Sequence, residues 1–224
     1  MHVIGPNGSG KSTLLAAMSG LQECAGEVLL QGSRVSDMSL SELASKRGYL
    51  AQQARPAFAI NVHHFLSLSI PATAPAEAVS PAIAQICQRL KIADKLQRSV
   101  NQLSGGEWQR VRLAGLCIQI WPSLNPYSQL LILDEPAAPL DIGQESMLYD
   151  LIQEIASMGI SIVMANHDLN RALRHASRVL LLQQGVSQGF GSPDVVMQPE
   201  LLSKVYETKV ERVDLEGRPY LFFG

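Results

Sequence analysis

Near the start of the chain, Gly5-Pro6-Asn7-Gly8-Ser9-Gly10-Lys11-Ser12-Thr13 satisfies the spacing G-x-x-x-x-G-K-[ST], in which backbone N–H groups cradle phosphates. The glycines let successive amides turn toward one anion, a geometry that strains residues bearing a Cβ. Lys11 adds a compact positive charge, and the Ser12 hydroxyl stands where it would meet Mg²⁺ on those phosphates. A second candidate anion trap is Leu103-Ser104-Gly105-Gly106-Glu107, where a hydroxyl and two glycines open a helix whose first N–H groups are free. From local sequence alone, an ordinary serine N-cap accounts for Ser104 equally well.

Carboxylates appear where such phosphates would need them. The run Leu130-Leu131-Ile132-Leu133 ends in Asp134-Glu135-Pro136, the pattern of a central parallel strand buried on both faces. Its two acids then emerge at the carboxyl edge of the sheet, where ligands sit in open α/β folds. Asp134 suits a Mg²⁺ ion, and Glu135 suits a water aimed at a γ-phosphate. Gln52 and Gln53 follow a strand over residues 48–51, and His167 follows one over residues 161–165. Each alone reads more simply as a solvated loop or a structural histidine.

The elements that must carry these groups follow from periodicity. Residues 12–19 read as a helix behind the phosphate loop, after the end of a buried strand at residues 1–4. A further strand is expected over residues 27–30, helices around 83–90, 105–120, 147–155, 169–176 and 199–205, a strand over 178–182 turning at Gln183-Gln184-Gly185, and a last strand at 220–223. Between about 56 and 102 prolines cluster and strand patterns vanish, which marks a helical insertion. Arg171, Arg174, His175 and Arg178 read as a solvated face.

With 224 residues the chain can bury a substantial core. A net charge of −2 and the absence of basic runs give no electrostatic footprint for nucleic acid. Apolar runs such as 130–133 are too short to span a bilayer. Cys24, Cys87 and Cys117 lack metal-ligand spacing and sit among apolar neighbours, so buried reduced thiols are expected. Only four residues precede Gly5, short for a central strand, so a start upstream of Met1 is expected.

Taken in order, the phosphate loop, Gln52, the Ser-Gly-Gly helix start, the strand ending in Asp134-Glu135, the loop carrying Asp141 and the strand ending at His167 resemble the ATP-binding subunits of ABC transporters. The resemblance covers essentially the whole chain. It implies an α/β P-loop NTPase of the ABC ATPase type: a mostly parallel sheet core over residues 1–52 and 105–224, with an inserted α-helical subdomain over 53–104. It implies ATP and Mg²⁺ as cofactors, with Gly5, Pro6, Asn7, Gly8, Ser9, Gly10, Lys11, Ser12 and Thr13 binding nucleotide. Ser12, Gln52 and Asp134 would serve the metal, and Glu135, His167 and Gln52 the catalysis.

The same resemblance implies a head-to-tail homodimer. Ser104, Gly105, Gly106 and Glu107 would meet the partner's nucleotide, with Asp141 in the interface loop. Two membrane permease subunits and a periplasmic substrate-binding protein would complete an importer at the cytoplasmic face of the bacterial inner membrane, without nucleic acid. The run Asn101-Gln102-Leu103-Ser104-Gly105-Gly106-Glu107-Trp108-Gln109-Arg110-Val111-Arg112-Leu113-Ala114, the long connection over 119–127 and the tail over 212–217 are similar to the subfamily that energises vitamin B12 import. Siderophore or haem importers are the neighbouring alternative, and a non-transport ABC ATPase a more distant one. The family places strands and an adenine-stacking aromatic ahead of the phosphate loop, which the upstream start would supply. Pro139 stands beside Asp141 where a small flexible residue is usual, and is expected to stiffen that loop.

Overall fold

The computed structural model describes residues 1–52 and 55–224. Gln53 and Ala54, where the inserted segment is expected to begin, lie outside the described residues. β1 (His2–Ile4) feeds the phosphate loop and α1 (Lys11–Met18). A small hairpin of β2 (Leu29–Leu30) and β3 (Ser33–Arg34) follows, then α2 (Leu40–Lys46) and β4 (Arg47–Leu50). The middle of the chain is helical, with α3 (Val62–Ser67), α4 (Ala76–Arg89) and α5 (Gly105–Ile120). Next come β5 (Leu130–Asp134), α6 (Ile142–Ser157), β6 (Ser161–Ala165), α7 (Leu169–His175), β7 (Val179–Gln183) and β8 (Val186–Gly191). The chain closes with α8 (Pro193–Val196), α9 (Pro199–Tyr206), β9 (Val210–Leu215) and β10 (Arg218–Phe223).

Six strands form the main sheet among the described residues, in the order β4-β5-β6-β1-β7-β8. All its pairings are parallel except β7 with β8, which are joined through Gln184 and Gly185 at φ 49° and 77°. Two successive left-handed residues make the turn whose twist matches the flanking strands. The central strands β5, β6 and β1 end together, with Asp134 beside Ala165 and Val3 beside Ala165 in register. This common end delivers the phosphate loop, Glu135 and His167 to one edge.

Alternation along the strands separates two faces. Val3 and Ile132 pack with Leu15 of α1 on one face. Leu131 and Leu133 pack on the other with α5, α6 and the helical segment, through residues such as Leu66, Ile86, Trp108 and Leu148. Further along that face, Ile4 and Leu181 meet Leu202 and Leu221. α5 is largely buried because α2, α3, α4 and β4 pack around it; Val111, Ala114 and Ile118 are fully buried. The stripe Ile86, Cys87 and Leu90 on α4 joins the same core, which therefore runs continuously from the helical segment into the sheet.

Three expectations are corrected and one strand is added. The strand over residues 27–30 contracts to Leu29–Leu30 in the small hairpin, where Leu29 is 54% exposed and nothing packs it into the main sheet. β9, unread in the sequence because its residues mix charges with valines, pairs with β10 across a turn at Glu216 and Gly217. Cys24 is exposed, whereas Cys87 and Cys117 are buried; burial pushes the Cys117 thiol up to about 12. Arg171 is held rather than solvated, stacked 4.7 Å over the Tyr149 ring and paired with Glu145 at 3.4 Å.

His2 makes stability depend on pH. Burial, reinforced by the charge of His175, pushes its imidazolium down to about 4. A histidine depressed in the folded state leaves stability intact above its unfolded value near 6.5, and stability is lost as pH falls toward 4 because the unfolded chain takes up the proton first. The loss approaches about 3 kcal/mol at 1.36 kcal/mol per unit. Urea midpoints for wild type and His2→Leu at pH 7 and pH 4.5 check this; the wild type is expected to lose more than the variant, and equal losses count against it.

Candidate active site at the phosphate loop

The loop between β1 and α1 is bent by glycines at positive φ, a setting that side-chain-bearing residues rarely adopt. Gly5 has φ 150° and a Cβ there would lie 2.2 Å from the Leu182 carbonyl oxygen. Gly10 caps α1 in the left-handed region at φ 96°. Lys11 crosses back over the loop, its Nζ donating to the Gly5 and Pro6 carbonyls at 2.8 and 3.1 Å. Burial lowers the Lys11 pKa while Glu135 and Asp134 oppose that shift. Residues 7–13 with Gln52, Glu135 and His167 line a cleft of about 460 Å³.

Glu135 is the centre of this constellation. Its Oε2 accepts from Gln52 Nε2 at 3.1 Å, and its Oε1 pairs with His167 Nε2. Its backbone has φ 49°, a strained setting for a side-chain-bearing residue that surrounding contacts must hold. Gln52, Glu135 and His167 come from the ends of β4, β5 and β6, brought to one edge by parallel pairing. His167 is held from behind by Asn166, whose Nδ2 donates to the Tyr149 hydroxyl at 2.8 Å.

Asp134 sits deeper. Burial raises its pKa, and a hydrogen bond to Ser12 and the charge of Lys11 pull the other way. Its Oδ1 is buried without a hydrogen-bond partner. An orphaned carboxylate oxygen beside a hydroxyl, facing a phosphate loop, fits a hard cation with oxygen ligands. Among the described residues no cluster of three or more His, Cys, Asp or Glu could hold a metal alone. Such an ion would share its ligands with a phosphate, as Mg²⁺ does.

The second anion trap is spatially separate from this cleft. Ser104 caps α5: its Oγ accepts from the Glu107 N–H at 3.2 Å, and the Glu107 carboxylate accepts from the Ser104 N–H at 2.8 Å. Lys95 at 3.3 Å and Arg98 at 3.6 Å steady Glu107. Gly106 packs on Pro139 and the start of α6, where a Cβ would lie 2.7 Å from Gln144 Oε1. Asp141 caps α6, accepting from the Gln144 N–H at 2.8 Å. Sequence reasoning missed Gln109 and Arg112, which line an adjoining cleft of about 540 Å³ with Gln52, Asp134, Glu135 and Pro139. Their signal was faint: two polar residues three apart on a helix that also carries Glu107, Arg110 and Gln119.

Comparison with known proteins bears on this site. Residues 1–138 match the family model described as ABC transporter. The chain is 55% identical over its whole length to the vitamin B12 import ATP-binding protein BtuD of Vibrio atlanticus, covering 90% of it. It is 56% identical to the protein of the same name from Vibrio cholerae, over 99% of this chain and 89% of that one. A solved ATP binding subunit of an ABC transporter superposes with a TM-score of 0.79 at 21% identity, over 92% of this chain and 86% of that one. The cbiO1 subunit from Clostridium perfringens gives 0.71 at 23% identity, over 91% and 80%. With its phosphate loop, buried Asp134 and Glu135 at one sheet edge, and relatives of this identity along its full length, the chain belongs to the ATP-binding subunits of the ABC transporter family.

Proposed function

We propose that this subunit hydrolyses ATP to drive vitamin B12 import, working as a head-to-tail homodimer beneath two permease subunits that receive cobalamin from a periplasmic binding protein. The observation that carries the reading is Glu135 held between Gln52 and His167 at the mouth of the phosphate loop, while Ser104 opens a second helix elsewhere on the same chain. Each chain thus offers two halves of different sites. Identity above half with vitamin B12 import ATPases along the full length supports the cargo.

Chemically, the loop amides and Lys11 would hold the β- and γ-phosphates, Lys11 exchanging its two carbonyl partners for phosphate oxygens. Glu135 would orient a water for in-line attack on the γ-phosphorus and take its proton as the bond to ADP breaks. Gln52 and His167 would fix the carboxylate, and His167 would then reach the γ-phosphate. Ser104 and Gly106 of the opposing subunit would close the site, with Gly105 and Glu107 shaping that helix start and Asp141 beside it. Ser12, Asp134 and the Gln52 oxygen would hold Mg²⁺, which when bound neutralises charge on the phosphates. Residues 53–104 would form the helical subdomain on which the permease docks, placing the subunit on the cytoplasmic face of the inner membrane.

Growth on cobalamin tests the cargo. The chain, expressed in a bacterium whose own vitamin B12 import ATPase is deleted, is expected to restore cobalamin-dependent growth, and Lys11→Ala is expected to fail. Restoration of a strain lacking a siderophore-import ATPase, with none of the cobalamin strain, would overturn the reading.

A further inference from the structure

Hydrogen bonds around Glu135 close into a ring. Gln52 Nε2 reaches Glu135 Oε2 at 3.1 Å. The residue before Gln52 is Ala51, whose carbonyl accepts from Arg112 Nη2. Arg112 Nη1 donates to Gln109 Oε1 at 3.1 Å, and Gln109 Nε2 donates to the Pro136 carbonyl at 2.7 Å. Pro136 is covalently joined to Glu135, which completes the circuit. Gln109 and Arg112 lie three residues apart on α5 and so share one face of it.

Several properties make this more than packing. Gln109 is 3% exposed, so its hydrogen bond to the Pro136 carbonyl is buried, where a lost partner is costly. Arg112 is half-buried, burial lowers its pKa, and its planar fork serves two acceptors in one orientation, which an ammonium group could not reproduce. Neither side chain lines the cleft at the phosphate loop; both line the adjoining one, behind Gln52 and Glu135. Glu135 meanwhile holds a left-handed backbone that its own sequence does not favour, just before a proline that biases it to extended geometry.

We propose that Arg112 and Gln109 are positioning residues for ATP hydrolysis. They set Gln52 and Glu135 in register with each other and tie both to the helix that begins at Ser104. A displacement of α5 caused by a nucleotide at Ser104 then reaches the carboxylate of the same chain, so that one site of the dimer reports on the other. This deepens the assignment of Glu135 and Gln52 given above and rests on it.

The test is steady-state hydrolysis and nucleotide affinity for Arg112→Ala, Arg112→Lys, Gln52→Ala and the Arg112→Ala/Gln52→Ala double variant, with Glu135→Gln alongside. Arg112→Ala is expected to lower kcat about 10- to 100-fold, the scale on which small misplacements cost rate, while KM for ATP and nucleotide affinity stay at wild-type values. The double variant should lose no more than the worse single variant, because both act through one carboxylate. Arg112→Lys should recover part of the rate, and it carries the same test should Arg112→Ala fail to fold. Losses that multiply, a KM that rises with kcat intact, or activity that falls only as melting temperature falls would overturn the proposal. Wild-type turnover by Arg112→Ala beside a silent Glu135→Gln would sink positioning alone. Wild-type turnover by Glu135→Gln would sink the underlying assignment.

Discussion

Glu135→Gln is expected to bind ATP as the wild type does and to hydrolyse it about 10² to 10⁴ times more slowly, the usual cost of losing a general base. The substitution preserves size, and its amide can still meet Gln52 and His167, the two groups that hold the carboxylate. What it removes is the negative charge proposed to take a proton from water. Nucleotide contacts through residues 5–13 are untouched, so affinity is the internal control. With turnover blocked and binding intact, ATP-bound dimers should accumulate and elute earlier on a sizing column than nucleotide-free protein. Rapid hydrolysis by the variant would demote Glu135 to a structural role.

A comparable effect is expected from separating the two halves of the proposed shared site. Lys11→Ala deletes the cation of the phosphate loop, while Ser104→Arg puts a long side chain at the proposed trans contact and removes the α5 cap. Cap loss itself costs about 0.5–2 kcal/mol, so melting temperatures must accompany the rates. Each homodimer is expected to be silent. Mixed dimers carry one site with both lesions and one with neither, and should regain part of the wild-type rate. Differently tagged subunits purified in tandem would prove the mixing. A silent mixed dimer would overturn the shared-site reading.

How much of this was readable beforehand depended on whether the signal lay in side chains or in backbone. The phosphate loop, the β5 strand and the β7–β8 turn were legible because glycine placement and an unbroken apolar run leave few alternatives. The position of His167 was legible only through the order of motifs, since a lone histidine after a strand says little. Ser104 illustrates a true ambiguity: as a cap it accepts from the Glu107 N–H in this chain, and a trans contact needs a second copy. The left-handed Glu135 was not legible, because nothing in Asp-Glu-Pro favours it and the contacts that enforce it come from distant segments. Arg171 looked solvated for a similar reason, as Tyr149 and Glu145 reach it only after α6 and α7 pack.

The circuit through Ala51, Arg112, Gln109 and Pro136 has a bearing on how relatives of this chain should be compared. Its two acceptors outside the helix are main-chain carbonyls, which every amino acid supplies. Evolution can therefore replace the side chain at position 51 freely while the bond persists, whereas positions 109 and 112 must keep donors of the right length. Methods that infer contacts from correlated substitutions need both partners to vary together. Here one partner leaves no trace, so the link between the Ser104 helix and Glu135 would stay silent in even a deep alignment and visible only in coordinates.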